Sequence, residues 1–240
     1  MSEPLRFNIL PRLGVAPSTA DLVRAALDRA LDAADAGGDP IAVLDAGCGR
    51  ASALRPYRGR IARFVGADIH RPAPGSLPYL DEFATVDLCT DAEAFSSGTF
   101  HLILSSFTVE HFADPVAAFR HFRGWLRPGG RLVVTTVNRR HPFVRAYLST
   151  PERARRRLQR LVKATAADAH PLVGACNDPA AISAALRDAG FGEVRVRTTG
   201  HLARAWGRRW PTYVLGLAGD LLSRGAPSRR STIVAEAIAP

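Results

Sequence analysis

The 240-residue chain is poor in cysteine: Cys48, Cys89 and Cys176 stand far apart, with no C-x-x-C pair among them. An odd, scattered set of thiols excludes a disulfide framework and a structural zinc site. It places the expected setting in a reducing compartment, the cytoplasm. No apolar run approaches the ~20 residues of a membrane span. A secretory leader pattern is missing as well, because Met1 to Asn8 carries Glu3, Pro4 and Arg6 where an apolar stretch would stand. G-x-x-x-x-G-K followed by Ser or Thr occurs nowhere, which excludes a P-loop. Internal repeats and low-complexity segments are absent too.

What is present fits one α/β domain over 1–240. Hydrophobic residues make up 47% of the chain, enough at this length for a full core. The net charge of +10 is unevenly spread. Residues 1–138 hold 14 Arg against 15 acids, whereas 139–163 hold eight Arg and Lys163 against Glu152 alone. The chain therefore divides into a near-neutral half at 41–138, a basic insertion at 139–177 and a closing half at 178–240.

The most informative run is Val43-Leu44-Asp45-Ala46-Gly47-Cys48-Gly49. An apolar segment from Ile41 meets an acid and then two glycines two positions apart. This reads as a buried parallel strand emptying into a tight turn under the start of a helix, expected from Ser52 to Arg58. The glycines let a ligand lie against the main chain at the strand's carboxyl end. Asp45 decides which ligand: a carboxylate there repels phosphate and suits a cationic or neutral adenosyl group. Ser52 stands where a dinucleotide fingerprint needs its third glycine, which counts against NAD. A second acid, Asp68, ends the apolar run Phe64 to Ala67, 19 residues after Gly49, where a ribose-hydroxyl acceptor belongs. A third, Asp87, follows the short strand Phe83 to Val86.

These residues in this order resemble the class I S-adenosylmethionine (SAM)-dependent methyltransferases, and more narrowly their small-molecule branch of methyltransferase type 11 and quinone-biosynthesis enzymes. Val43 to Gly49 matches the first motif, Asp68 the ribose-binding acid and Asp87-Leu88 the pair beside adenine. Phe100 to Phe107 matches the fourth strand, with Glu110-His111 after it. Leu126-Arg127-Pro128-Gly129-Gly130 and then Arg131 to Val134 match the helix-turn-strand that ends the SAM half. Ala51 departs from the glycine many relatives carry. The resemblance implies a Rossmann-like seven-stranded sheet with an antiparallel last strand, helices on both faces and a helical cap insertion. It implies SAM as cofactor, held by Asp45, Gly47, Cys48, Gly49, Asp68, Ile69, Asp87 and Leu88, with Ser105 and Ser106 facing the methionine part. Cys48 itself reads as a small packing residue of the turn. The segment 178–240 carries the resemblance more weakly.

Element signals agree. An amphipathic helix runs from near Ser18 to Ala34, with Leu22, Val23, Ala26, Leu27, Ala30 and Leu31 on one face. Asp114-Pro115 and Asp178-Pro179 are helix starts, Asp as cap and Pro in the first turn. The first of these helices should bury Val116, Phe119, Phe122 and Leu126 and stop at Pro128-Gly129-Gly130; the second should bury Ile182, Leu186 and Ala189 and end at Gly190. Leu132 to Val137, Phe191 to Arg197 and Ser231 to Ala239 read as strands, the last inserted antiparallel beside the fifth. Within the insertion, Thr150-Pro151-Glu152 starts a helix with Ala154, Leu158, Leu161, Val162 and Thr165 on one face and Arg153, Arg155, Arg156, Arg157 and Arg160 on the other. It reads first as a cap over the acceptor pocket; peripheral membrane contact through 152–163 and RNA contact are the alternatives. Trp206, Trp210, Tyr213 and Val214 to Ala218 read as core, as a second pocket wall or as a membrane-facing patch.

Methyl transfer from SAM needs alignment, exclusion of water and, for many acceptors, a base. His111 is the leading candidate base, weighed against a role for Glu110-His111 in ordering the loop; His141 and His170 are lesser candidates. Some quinone O-methyltransferases resembling this chain carry a metal-holding Glu-x-x-Glu-His cluster. Phe107 breaks that pattern, so no metal is expected. Ser105-Ser106-Phe107-Thr108 lacks the Asn/Asp-Pro-Pro-Tyr/Phe run of nucleic-acid amino-group methyltransferases and the Pro-Cys of cytosine-C5 enzymes. The acceptor expected is therefore a small molecule, with hydrophobic, quinone-like and lipid-like compounds as candidates. An RNA methyltransferase and a non-catalytic nucleotide binder of the same fold are the competing readings, and nothing in the sequence sets the oligomeric state.

Overall fold

Ser18 opens the first helix by a reciprocal cap. Its hydroxyl accepts the Asp21 N–H at 3.2 Å while the Asp21 carboxylate takes the Ser18 N–H at 2.9 Å. Helix α1 (Thr19–Asp35) buries Leu22, Val23, Ala26, Leu27, Ala30 and Leu31, the stripe the 3.6-residue period picks out. The computed structural model describes residues 10, 12–15, 17–73, 75–151, 153–154, 173–207 and 209–240.

Four parallel strands follow: β1 (Ala42–Ala46), β2 (Arg63–Asp68), β3 (Glu82–Thr85) and β4 (Phe100–Ser106). Helix α2 (Pro115–Trp125) leads to β5 (Leu126–Val137), parallel to β4. Helices α3 (Pro142–Leu148) and α4 (Pro179–Asp188) precede β6 (Gly192–Thr199). Then come α5 (Leu202–Ala205), α6 (Trp210–Ser223) and β7 (Thr232–Ile238). The sheet order is β3-β2-β1-β4-β5-β7-β6, with β7 antiparallel to both β5 and β6. The last strand thus inserts beside the fifth, as expected.

Alternation along the strands fills two core layers. Val43, Leu102, Leu104 and Val133 face the α1 side with Leu27 and Leu31. Leu44, Ile103, Leu132 and Val134 face Phe119, Phe122 and Trp125 of α2 and Ile182 and Leu186 of α4. Asp114 caps α2 by accepting the Ala117 N–H at 2.9 Å, and Asp178 caps α4 through the Ala180 N–H at 2.8 Å.

Three expectations need correction. The segment after the glycine turn forms a 3-10 helix over Arg55–Arg60 instead of an α-helix beginning at Ser52. Pro56 and Gly59 shorten it, since Pro withholds a donor and Gly resists helix, and β2 starts directly afterwards. Helix α2 ends at Trp125, before Pro128, and its buried stripe is Pro115, Ala118, Phe119, Phe122 and Trp125. Leu126 is already extended and joins β5, because the residues before Pro128 turn away from helix; Val116 is only partly buried. Pro128-Gly129-Gly130 instead lies in β5, where Gly129 and Gly130 exchange backbone hydrogen bonds with Ala239. The basic helix expected over 152–163 falls outside the described residues, apart from a helical Arg153-Ala154. His170 and the stretch Met1 to Asn8 lie outside them too.

Candidate active site

Because β1 to β4 are parallel and adjacent, their carboxyl ends share one edge of the sheet. Register sets Asp45 opposite Gly66 and Asp68 opposite Thr85. With strands ~4.8 Å apart, the ends of β1, β2 and β3 lie within about 10 Å of one another along that edge. The chain order reverses between β1 and β4, the place where open α/β sheets bind ligands.

The turn after β1 is held from two sides. The N–H groups of Gly47 and Cys48 both donate to the Ala67 carbonyl, at 2.7 and 3.1 Å. On the other side Thr108 packs so tightly that a Cβ on Gly47 would sit 2.3 Å from its side chain, and Gly47 has a φ of +77°. Glycine is therefore required here on both counts. The Thr108 hydroxyl donates to the Gly47 carbonyl at 3.3 Å.

The acids differ in environment. Asp45 is buried, and its Oδ2 has no hydrogen-bond partner among the described residues. Burial pushes its carboxyl up to about 7; a Ser52 hydrogen bond pulls it back, and the Asp68 charge adds to the rise. Asp68 is more open. Its Oδ2 accepts the Gly49 N–H and its Oδ1 the His70 N–H, both at 3.0 Å, which leaves each oxygen a second lone pair. Ile69, beside it, is 52% exposed, an apolar shelf at the rim. Asp87 accepts the Cys89 N–H at 2.9 Å, which orders the turn that carries Leu88. The buried Cys48 thiol is pushed up to about 12, chiefly by burial and further by Asp45 and Asp68, so it packs and does not attack.

This set fits an adenosyl cofactor with a cationic amino acid part. The orphaned buried oxygen of Asp45 suits an ammonium donor, the spare lone pairs of Asp68 suit two ribose hydroxyls, and Ile69 suits a flat base. Asp45, Gly47, Cys48, Gly49, Asp68, Ile69, Asp87 and Leu88 are brought to one edge. Ser105 and Ser106 are not equivalent, because alternation sends them to opposite faces: Ser105 is fully buried, and Ser106 pairs with the Thr135 hydroxyl at 3.0 Å.

Past β4 the chain strains. Phe107 has a φ of +54°, a conformation non-glycine residues seldom adopt, and its ring stacks on His201 at 5.6 Å. His111 closes a 3-10 turn, Val109–His111, and its N–H donates to Thr108. Glu110 points inward instead. Its Oε2 accepts the Thr136 hydroxyl at 2.8 Å, and the Asn177 amide donates to that same hydroxyl at 2.8 Å. The Glu110 carbonyl also takes the N–H groups of Val173 and Gly174, fastening the return from the insertion. His141 is no base: its Nδ1 accepts the Phe143 N–H as a helix cap, and its Nε2 donates to the Gly219 carbonyl at 3.1 Å. Sequence reasoning missed Thr108, Thr136 and Asn177, whose partners lie far away along the chain with no local pattern to announce them.

Residues 19–211 match a family model described as a methyltransferase domain. A ubiquinone biosynthesis O-methyltransferase of Parvibaculum lavamentivorans is 35% identical over 101 residues, 40% of each chain. A nocamycin O-methyltransferase of Saccharothrix syringae is 31% identical over 168 residues, 64% of this chain and 60% of that one. Among these relatives, the chain spans about two fifths of the length of the ubiquinone enzymes it matches. A SAM-dependent methyltransferase structure from Archaeoglobus fulgidus superposes with a TM-score of 0.54 at 14% identity, covering 98% of this chain and all of that one, a likeness of fold.

Proposed function

The chain belongs to the methyltransferase-domain family, and from that premise we propose that it moves the methyl group of SAM onto an oxygen of a small, hydrophobic molecule. When bound, SAM supplies an already activated sulfonium methyl. The residues of this chain would supply position: Asp68 for the ribose hydroxyls, Asp45 for the ammonium group, Leu88 and Ile69 for the base, and the Gly47–Gly49 turn for close approach. Such alignment can contribute roughly 7–11 kcal/mol to the rate.

The observation that carries this reading is the orphaned, buried oxygen of Asp45 beside a glycine turn whose partner Asp68 keeps lone pairs to spare. Oxygen as acceptor atom follows the names of the two relatives described above. His111 is proposed as the base that takes the acceptor proton, its place fixed by the inward anchoring of Glu110 beside it.

The test is transfer of labelled methyl from SAM to a panel of phenols, catechols, hydroxyquinols and amines. Labelled O-methyl product supports the proposal, and its loss in His111→Gln by roughly 10²–10⁴-fold with unchanged SAM affinity supports the base. Labelling of amines or RNA alone contradicts the acceptor assignment. Unchanged turnover in His111→Gln leaves Glu110-His111 as a structural pair.

A further inference from the structure

Helix α6 packs a mixed face inward, with the partly buried Leu217 and Leu221 against Leu10, Val15 and Ala203. The residues it buries most fully are Tyr213, Gly216, Gly219, Asp220 and Ser223. Gly216 lies so close to α5 that a Cβ would sit 2.6 Å from the Leu202 carbonyl oxygen, and one on Gly219 would sit 2.9 Å from Phe143. Asp220 takes the N–H groups of His201, Leu202 and Ala203 at 2.9–3.2 Å, capping α5 from beneath. Four large apolar side chains point outward: Trp210 is 62% exposed, Val214 54%, Leu215 51% and Leu222 77%. Positions 210, 214, 218 and 222 recur every four residues, with 211 and 215 in the adjoining row, so they form one continuous face. Pro211 and Ala218 complete it, and no charged residue lies on it.

Cations frame this face. Exposed Arg209 stands at the amino end of α6, and exposed Arg224 and Arg229 stand at its carboxyl end. No carboxylate pairs with any of the three among the described residues. Residues 201–230 hold six Arg against Asp220 alone.

We infer that this face docks the protein on an anionic lipid bilayer, α6 lying in the plane of the interface with Trp210 and Leu222 below the headgroups and the arginines among them. An apolar stripe rimmed by arginines, with a tryptophan on it, is what such a surface takes. A second copy of the chain fits less well. Symmetric pairing would set the same arginines of two +10 chains against each other. The face itself is small: a helix of 14 residues is about 21 Å long and about 10 Å wide, roughly 200 Å², against ~800 Å² per partner for a stable dimer. The inference is independent of the acceptor and would deliver the chain to acceptors dissolved in lipid.

The experiment is sedimentation of the full chain with vesicles of mixed phosphatidylcholine and phosphatidylglycerol, with pure phosphatidylcholine alongside. Binding to the anionic vesicles is expected, weakened by salt and by removal of phosphatidylglycerol. Val214→Glu and Leu222→Glu should each weaken it by roughly tenfold or more. Both positions are exposed, so circular dichroism and melting should not change. Independently, tryptophan emission should shift to the blue on vesicles, and Trp210→Phe should abolish the shift. Failure to bind anionic vesicles overturns the inference, as does equal binding by the glutamate variants, which would leave the arginines acting alone. A dimer in sedimentation equilibrium that Leu222→Glu dissolves also overturns it, in favour of a second copy.

Discussion

At the carboxyl edge of β1 to β4 the acids run from the buried Asp45 to the half-buried Asp68 and Asp87. Asp45 is buried, and one of its oxygens has no partner among the described residues. On α6 the outer face is apolar, with Trp210, Val214, Leu215 and Leu222 exposed, over an inner face of glycines, Asp220, Tyr213 and the partly buried Leu217 and Leu221. Charge divides in the same sense: residues 1–138 hold 14 Arg and 15 acids, whereas 139–240 hold 18 basic residues and seven acids. A buried acid that lacks a partner costs stability unless a ligand completes it. An exposed apolar face costs little in the isolated chain and gains when something covers it. Both are unfinished surfaces, one shaped for a small cation and one for a larger apolar phase.

The sharpest way to break the first surface alone is Gly47→Ala. Its Cβ would collide with Thr108, and its φ of +77° would be left-handed. Overpacking of about 1–3 kcal/mol and left-handed strain of about 1–2 kcal/mol should add in a urea melt, and cofactor affinity should fall with them. Adding Thr108→Gly should return the overpacking part only. Gly216→Ala is the matching insult to the second surface. Its Cβ would meet the Leu202 carbonyl at 2.6 Å, so a loss of about 1–3 kcal/mol is expected with SAM affinity untouched. Equal loss of SAM binding in both variants would erase the distinction between the two regions.

Asp45→Asn has a smaller effect, read through pH. The folded protein holds this proton up to about pH 7, while the unfolded chain releases it near 3.8. The folded state therefore binds more protons across that window, and stability declines as pH rises from about 4 to about 7 and is level above. The asparagine variant should lose that decline in melts taken along a pH series. A cationic ligand favours the ionised carboxylate, so wild-type affinity for SAM should rise with pH through the same window and that of Asp45→Asn should stay flat. Leu222→Gln is the smallest perturbation. Being exposed, it should move stability by no more than about 0.5 kcal/mol, which contrasts with any change of a buried residue on α6.

The elements with chemical punctuation were legible in the sequence. Asp114-Pro115 and Asp178-Pro179 announce their helices through caps that act over two to three residues. The acids at the ends of β1 and β2 and just past β3 were legible too, because each follows an apolar run. The 3-10 turn at Arg55–Arg60 was not, since its form depends on how soon β2 must begin. Thr108 was not, since its contact with Gly47 spans 61 residues. Which face of α6 turns outward is a tertiary choice that no local pattern over 210–223 sets.

An adenosyl cofactor held by the acids of the strand ends is the central claim. Calorimetric titration of SAM, S-adenosylhomocysteine and NADH into the wild type and Asp68→Ala tests that most directly. Micromolar binding of the first two, about −8 kcal/mol, is expected, with none for NADH. Loss of the carboxylate should weaken it by about 1.5–3 kcal/mol, near 10- to 100-fold. SAM affinity unchanged in Asp68→Ala, or NADH bound in place of SAM, would contradict the account.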